Sequence, residues 1–247
     1  MTKNDKSAKK SAAKQFAHPV AKAVATPSAP PPAALFTEMV FILDRSGSMG
    51  GKEADTIGGF NSLIEKQKRE PGKAVVSTIL FDDEVKVLHD RLPIDRVPPM
   101  TGREYFARGC TALLDAVGGA IRHIGDIHKY ARKEDIPDKT VFVIITDGME
   151  NASHHYTYEM IRQRIERQKE RYGWEFLFLG ANIDAIAAAN DIGIDSFHAA
   201  EFLCYGAGIA HTFEATEKAM RSVRGGRAIV PDWADAVRAD TEGKGKK

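Results

Sequence analysis

The sequence predicts an α/β fold: an open sheet of about six strands, mostly parallel, with one antiparallel edge strand and helices on both faces. Three observations predict it. Two continuous apolar runs, Met39 to Asp44 (MVFILD) and Val141 to Asp147 (VFVIITD), each end on a carboxylate and read as strands buried on both faces. Each is followed by a Gly-containing loop and then by helical periodicity, the alternation that builds parallel strands joined by crossover helices. Finally, the runs Ala74 to Phe81 and Val85 to Asp90 are separated only by Asp82, Asp83 and Glu84. A gap that short cannot cross a sheet, so this pair is expected to be an antiparallel hairpin.

The elements follow in order. Residues 1–35 are rich in Lys, Ala and Pro and close on PSAPPPAAL. With few large apolar side chains to offset the entropy of ordering, they are expected to form a disordered tail. Six lysines against Asp5 give this tail a net charge of +5, which leaves −4 for the rest of a chain whose formal total is +1. A mildly acidic body does not suit phosphate neutralisation, so nucleic-acid binding is not expected of it. After the first strand, Ile57, Phe60 and Ile64 share one side of a helix. In the hairpin, Val85, Val87 and His89 alternate with Lys86, Leu88 and Asp90, a mixed pattern suited to an edge. After the VFVIITD strand, Ile161, Ile165 and Tyr172 again share a side. WEFLFLG (Trp174 to Gly180) reads as a buried strand, a short strand is expected near Ser196 to His198, and a helix spans Gly208 to Ser222. Residues 36–225 therefore form one domain. Residues 226–247 form a C-terminal extension expected to be partly disordered, fraying from Asp235 onward.

No run of eighteen apolar residues predicts a membrane span, and no charged-then-apolar leader predicts a signal peptide. The two cysteines, Cys110 and Cys204, are too few for a disulfide framework and suit a reducing compartment, so the expected location is the cytoplasm.

The chemistry is expected where both buried strands end. Ligands of an open parallel sheet bind beyond the carboxyl ends of its strands, where strand order reverses. There the first loop reads Asp44-Arg45-Ser46-Gly47-Ser48 and the second begins Asp147-Gly148-Met149-Glu150-Asn151. A carboxylate and two hydroxyls at alternate positions, turning at Gly47, can point three oxygens inward. Oxygen donors without thiol or imidazole suit a hard cation such as Mg²⁺. Taken alone, either loop is also explained by a Ser helix cap or an Asp turn. Their occurrence together at one end of the sheet favours the metal.

This arrangement resembles the von Willebrand factor type A (VWA) domain. The metal-ion-dependent adhesion site (MIDAS) of that family uses Asp-x-Ser-x-Ser, a Thr from a later loop and an Asp after the fourth strand. Asp44, Ser46 and Ser48 match the first part, Thr111 in GCTALLDA (Gly109 to Ala116) the second and Asp147 in ITDG the third. The resemblance covers roughly Thr37 to Ser222. It implies a Rossmann-like fold with Mg²⁺, or alternatively Mn²⁺, at the top of the sheet. Ser46, Ser48 and Thr111 would be direct or water-exchanged ligands, and Asp44 and Asp147 would supply charge. With only two anionic ligands the ion keeps an open position that attracts an outside carboxylate. The expected function is therefore a metal-dependent protein-binding module whose partner presents Asp or Glu; the intracellular branch of the family it resembles often works beside AAA-type ATPases or in stress-linked and phage-linked operons.

An enzyme is not expected. Ser46 stands where a phosphoaspartate enzyme would carry a second carboxylate, and Ser48 is not set in Gly-x-Ser-x-Gly. A metal-dependent hydrolase, phosphatase or peptidase, using the same crevice is the alternative. Around the site, His154 and His155, Tyr105, Arg108 and Met149 read as rim residues, Arg45 as pairing either with a partner's Asp or Glu or with a local acid, Cys110 as an inert neighbour of Thr111, and Arg162 to Arg171 as a solvated helix face.

Overall fold

The computed structural model describes residues 35–242. Residues 1–34 of the expected tail, and the last residues of the extension, 243–247, lie outside the described residues. The strands are β1 (Thr37–Asp44), β2 (Ala74–Phe81), β3 (Val85–Pro93), β4 (Lys139–Thr146), β5 (Glu175–Ala181) and β6 (Ala199–Phe202). They form one sheet in the order β3-β2-β1-β4-β5-β6, with every neighbouring pair parallel except β2 and β3. From β1 the chain builds outward to β3 and from β4 outward to β6, so strand order reverses between β1 and β4. That junction holds both acid-terminated strands.

Helices cover both faces. On one side α1 (Glu53–Gln67) and α5 (Gly206–Arg224) pack Phe60, Leu63 and Phe213 against Met39, Phe41 and Leu43 of β1. On the other, α2 (Leu113–Tyr130), α3 (Tyr158–Tyr172) and the short α4 (Ala185–Asp191) cover Val40, Ile42, Phe142 and Phe176. Alternate residues of β1 thus serve different cores, as the two-residue period of a strand requires. Among the described residues no helix is long and apolar enough to cross a membrane.

Four details depart from expectation. Ser196–His198 is a single 3-10 turn rather than a strand, because the Asp195 carboxylate caps the His198 N–H; the strand follows it at Ala199–Phe202. The C-terminal segment does not fray at Asp235 but forms α6 (Asp235–Glu242), held because Trp233, Ala234 and Val237 are buried and Trp233 Nε1 donates to Phe197 O at 2.8 Å. Tyr172 does not share the buried side of Ile161 and Ile165 and is 60% exposed. Gly173, at φ 63°, ends α3 there in a left-handed cap and turns the chain into β5.

The edge strand also changes face part-way. Thr78 lies opposite His89 and Ile79 opposite Val87, which leaves Leu88 as an extra, bulged residue. His89 is thereby moved off the face of Val85 and Val87. Its ring is buried beside Phe60, centroids 6.4 Å apart, and its Nδ1 lies 3.0 Å from Thr78 Oγ1, whereas both valines are exposed.

Candidate metal centre

The five residues singled out in the sequence meet at the β1/β4 junction. Asp44 is the last residue of β1, and Leu43 pairs with Ile145, so Asp147 emerges beside it from the end of β4. Asp44 Oδ1 accepts the Ser46 N–H at 2.7 Å and its Oδ2 accepts the Thr146 hydroxyl at 2.6 Å. Ser46 Oγ lies 3.0 Å from Ser48 Oγ, and Ser48 Oγ donates in turn to Asp147 Oδ1. Thr111 arrives from the loop before α2. A Cβ built on Gly148 would lie 3.0 Å from Thr111 Oγ1 and 3.6 Å from Ser48 Oγ, so the glycine keeps the space between these hydroxyls clear. Ser48 is exposed, whereas Asp44, Ser46, Thr111 and Asp147 are buried.

The loops are fastened by main-chain bonds. Gly47 N donates to Gly109 O at 3.1 Å, and Arg108 N donates to Arg45 O at 2.9 Å, which ties the first loop to the Thr111 loop. Thr111 N donates to Asn151 Oδ1 at 2.9 Å while Asn151 N returns a bond to Thr111 O at 3.0 Å. Glu150 caps the start of α2 by accepting the Leu114 N–H at 2.8 Å. Positions far apart in the chain are therefore held in one frame before any ligand is considered.

Burial pushes the Asp44 carboxyl above its ordinary pKa, and the nearby Asp147 charge adds to this, against the Thr146 and Ser46 hydrogen bonds that pull the other way. Two buried carboxylates and three hydroxyls, with no nitrogen or sulfur within the set, fit a hard divalent cation. Among the described residues no cluster of three or more His, Cys, Asp or Glu side chains can hold a metal ion, so a site here depends on its hydroxyls. His154 and His155 are exposed, and their main-chain N–H groups donate to the Asp115 carboxylate.

One residue read as rim is internal, and Arg45 takes the local acid of its two expected pairings. Tyr105 is fully buried and its hydroxyl donates to Asp44 O at 2.5 Å. Arg45 is 2% exposed, with Nε 2.8 Å from the buried Asp82 carboxylate. Arg108 reaches the same carboxylate but stays partly exposed, and Met149, at 70% exposure, does lie on the rim. Three participants escaped sequence reading. Thr146 is visible only as a hydroxyl one residue before the strand-end acid. Lys52 donates to Ser48 O and sits 3.0 Å from Asp147 Oδ2. The Cys204 thiol donates to that same oxygen at 3.5 Å, and burial, followed by the Asp147 charge, pushes its pKa up to about 11.

No protein-family model matches the sequence, and no curated protein sequence matches it. Solved structures do match. The chain is similar to proximal thread matrix protein 1 from the mussel byssus with a zinc-occupied MIDAS motif, at TM-score 0.54 and 15% identity over 76% of this chain and 46% of that one. It is also similar to the von Willebrand factor domain of a type V pili tip protein from Porphyromonas gingivalis, at TM-score 0.53 and 11% identity over 76% of this chain and 95% of that one. The fold is that of a von Willebrand factor type A domain. A mutant of the PilB minor pilin from Streptococcus sanguinis shares it at TM-score 0.52 and 12% identity, over 78% of this chain and 63% of that one. The chain spans less than half the length of the mussel protein. Asp44, Ser46, Ser48, Thr111 and Asp147 stand together at the end of the sheet where β1 and β4 finish.

Proposed function

We propose that this chain binds a divalent cation, Mg²⁺ with Mn²⁺ as the alternative, through Asp44, Ser46, Ser48, Thr111 and Asp147, and uses it to capture an Asp or Glu of a partner protein. The observation that carries the reading is the convergence of two buried carboxylates and three hydroxyls at the reversal of strand order, with Gly148 leaving the space between the Thr111 and Ser48 hydroxyls open. The zinc-occupied motif of the mussel protein supports a divalent ion in a site of this kind. The pilus tip protein and the minor pilin support a role in protein assembly.

The bound ion would supply positive charge for the partner's carboxylate. The chain's own residues prepare for it. Thr146 and the Ser46 N–H fix both oxygens of Asp44, and Ser48 links Asp147 to Ser46. Because most of the ligand set is neutral, the ion keeps affinity for an external anion. On this reading the module recognises rather than catalyses, and the partner belongs to a cytoplasmic protein system such as one with an AAA-type ATPase. The two free cysteines, Cys110 and Cys204, suit that reducing setting. A metal-dependent hydrolase in the same crevice would need a base or nucleophile aimed at the ion as well.

The test is a titration of Mg²⁺ and Mn²⁺ into metal-stripped protein while following Tm, with Asp44→Ala and Thr111→Ala alongside. Binding to the native state alone raises Tm with the logarithm of metal concentration. The expected result is a rise in the wild type that both variants lose. No rise in the wild type refutes the metal site, and turnover of phosphate esters or peptides that Asp44→Ala abolishes refutes the non-catalytic reading.

A further inference from the structure

Lys52 stands against local preference. It is the residue that caps the start of α1, where the helix dipole disfavours a cation, and its side chain makes no capping bond. Glu53 and Asp55, which complement that dipole, lie in the next turn, yet the Lys52 ammonium pairs with neither. It reaches instead to Asp147, 95 positions away, at 3.0 Å from Oδ2, and donates a second bond to the Ser48 carbonyl. Its side chain is 22% exposed and that of Asp147 is fully buried, so the pair is poorly screened on the carboxylate side. A residue that breaks a local rule and has a specific distant partner marks a position shaped by the site.

The position has an electrostatic consequence. The proposed ligand set carries two carboxylates, and a tethered ammonium on one of them halves the negative charge a divalent ion meets. Coulomb repulsion between the ammonium and the ion acts across the same carboxylate that attracts both. Asp147 Oδ1 is tied to Ser48, and Oδ2 also receives the Cys204 thiol. A neutral thiol and hydroxyl can yield to a cation without charge repulsion, whereas the ammonium cannot.

We infer that Lys52 is a tethered cation that competes with the divalent ion for Asp147 and so sets the metal affinity of the site. This rests on the metal-binding reading above. It adds that the affinity is held down by the chain itself, so that metal occupancy follows the supply of ion over a higher concentration range than the five ligands alone would give.

The experiment is calorimetric titration of Mg²⁺, and separately Mn²⁺, into metal-stripped wild type, Lys52→Gln and Lys52→Arg. Asp147→Asn serves as the site control, and far-UV circular dichroism in chelator verifies folding. The expected result is a dissociation constant about tenfold lower in Lys52→Gln, the scale on which groups next to metal ligands act, and nearly unchanged in Lys52→Arg, which keeps the charge. Equal affinities of wild type and Lys52→Gln overturn the inference while leaving the metal site standing. Weaker binding in Lys52→Gln also overturns it, since Lys52 would then be a strut that positions Asp147. Absence of binding in wild type, Lys52→Gln and Lys52→Arg alike refutes the metal site and the inference with it.

Discussion

The Tyr105 hydroxyl donates to the main-chain carbonyl of Asp44 at 2.5 Å, from a side chain with no exposed surface. This bond anchors the segment that follows β3 to the Asp44–Ser48 loop, at the residue where β1 ends. Burial raises the phenol pKa above its ordinary value, so the group stays a donor throughout the neutral range.

Tyr105→Phe removes that donor and leaves a buried carbonyl without it. The expected cost is about 1–3 kcal/mol of stability, read as a lower urea midpoint at unchanged m-value. An unchanged midpoint would mean that the carbonyl finds another donor.

Thr146→Val keeps the shape of the side chain but frees Asp44 Oδ2 from its 2.6 Å partner. If the carboxylate is a metal group oriented by that hydroxyl, Mg²⁺ affinity falls by about 10–100-fold in calorimetric titration. Retention of wild-type affinity would show that Asp44 needs no such orientation.

Asp115 illustrates a pH effect away from the proposed ligands. Burial works to raise its pKa, but the N–H groups of His154, His155 and Tyr156 together hold it below the ordinary value of 3.8. A depressed folded-state pKa contributes stability that is fully present above the unfolded value and is lost as pH falls through the folded one. Denaturant unfolding of wild type and Asp115→Asn from pH 6 to pH 2.5 is therefore expected to show a larger gap at pH 6, narrowing below about pH 4. Parallel profiles would sink the assignment.

Gly59 lies on α1 where α5 crosses, and a Cβ there would stand 2.2 Å from Phe213 Cδ2. Gly59→Ala gains about 1 kcal/mol of helix propensity but forces apart a packed aromatic contact at a cost of up to about 3 kcal/mol. Tm is expected to fall by several degrees in a thermal melt. A rise would mean that Phe213 swings aside freely.

Much of this architecture is legible in the sequence because its signals are local and redundant. The continuous apolar runs of β1 and β4 each end on an acid, and three residues between β2 and β3 permit only a hairpin. β6 is harder to see, since Ala199 and Ala200 carry little strand preference and the apolar signal of Phe197 falls in the turn before them. The site divides in the same way. Asp44, Ser46 and Ser48 declare themselves by alternate spacing within one loop. Tyr105, Arg45 and Lys52 act through partners 61, 37 and 95 positions away, Asp44, Asp82 and Asp147, and no periodicity encodes such distances.

The bulge at Leu88 bears on how copies of the chain behave when crowded. A strand that ends a sheet offers unpaired amides to any neighbour, and exposed Val85 and Val87 would make that offer adhesive. The extra residue breaks the even spacing of those amides half-way along β3, and Arg91 at φ 48° breaks it again. A second chain laid alongside would lose register after a few residues. The lateral edge is thus poorly suited to seeding stacked, fibre-like growth.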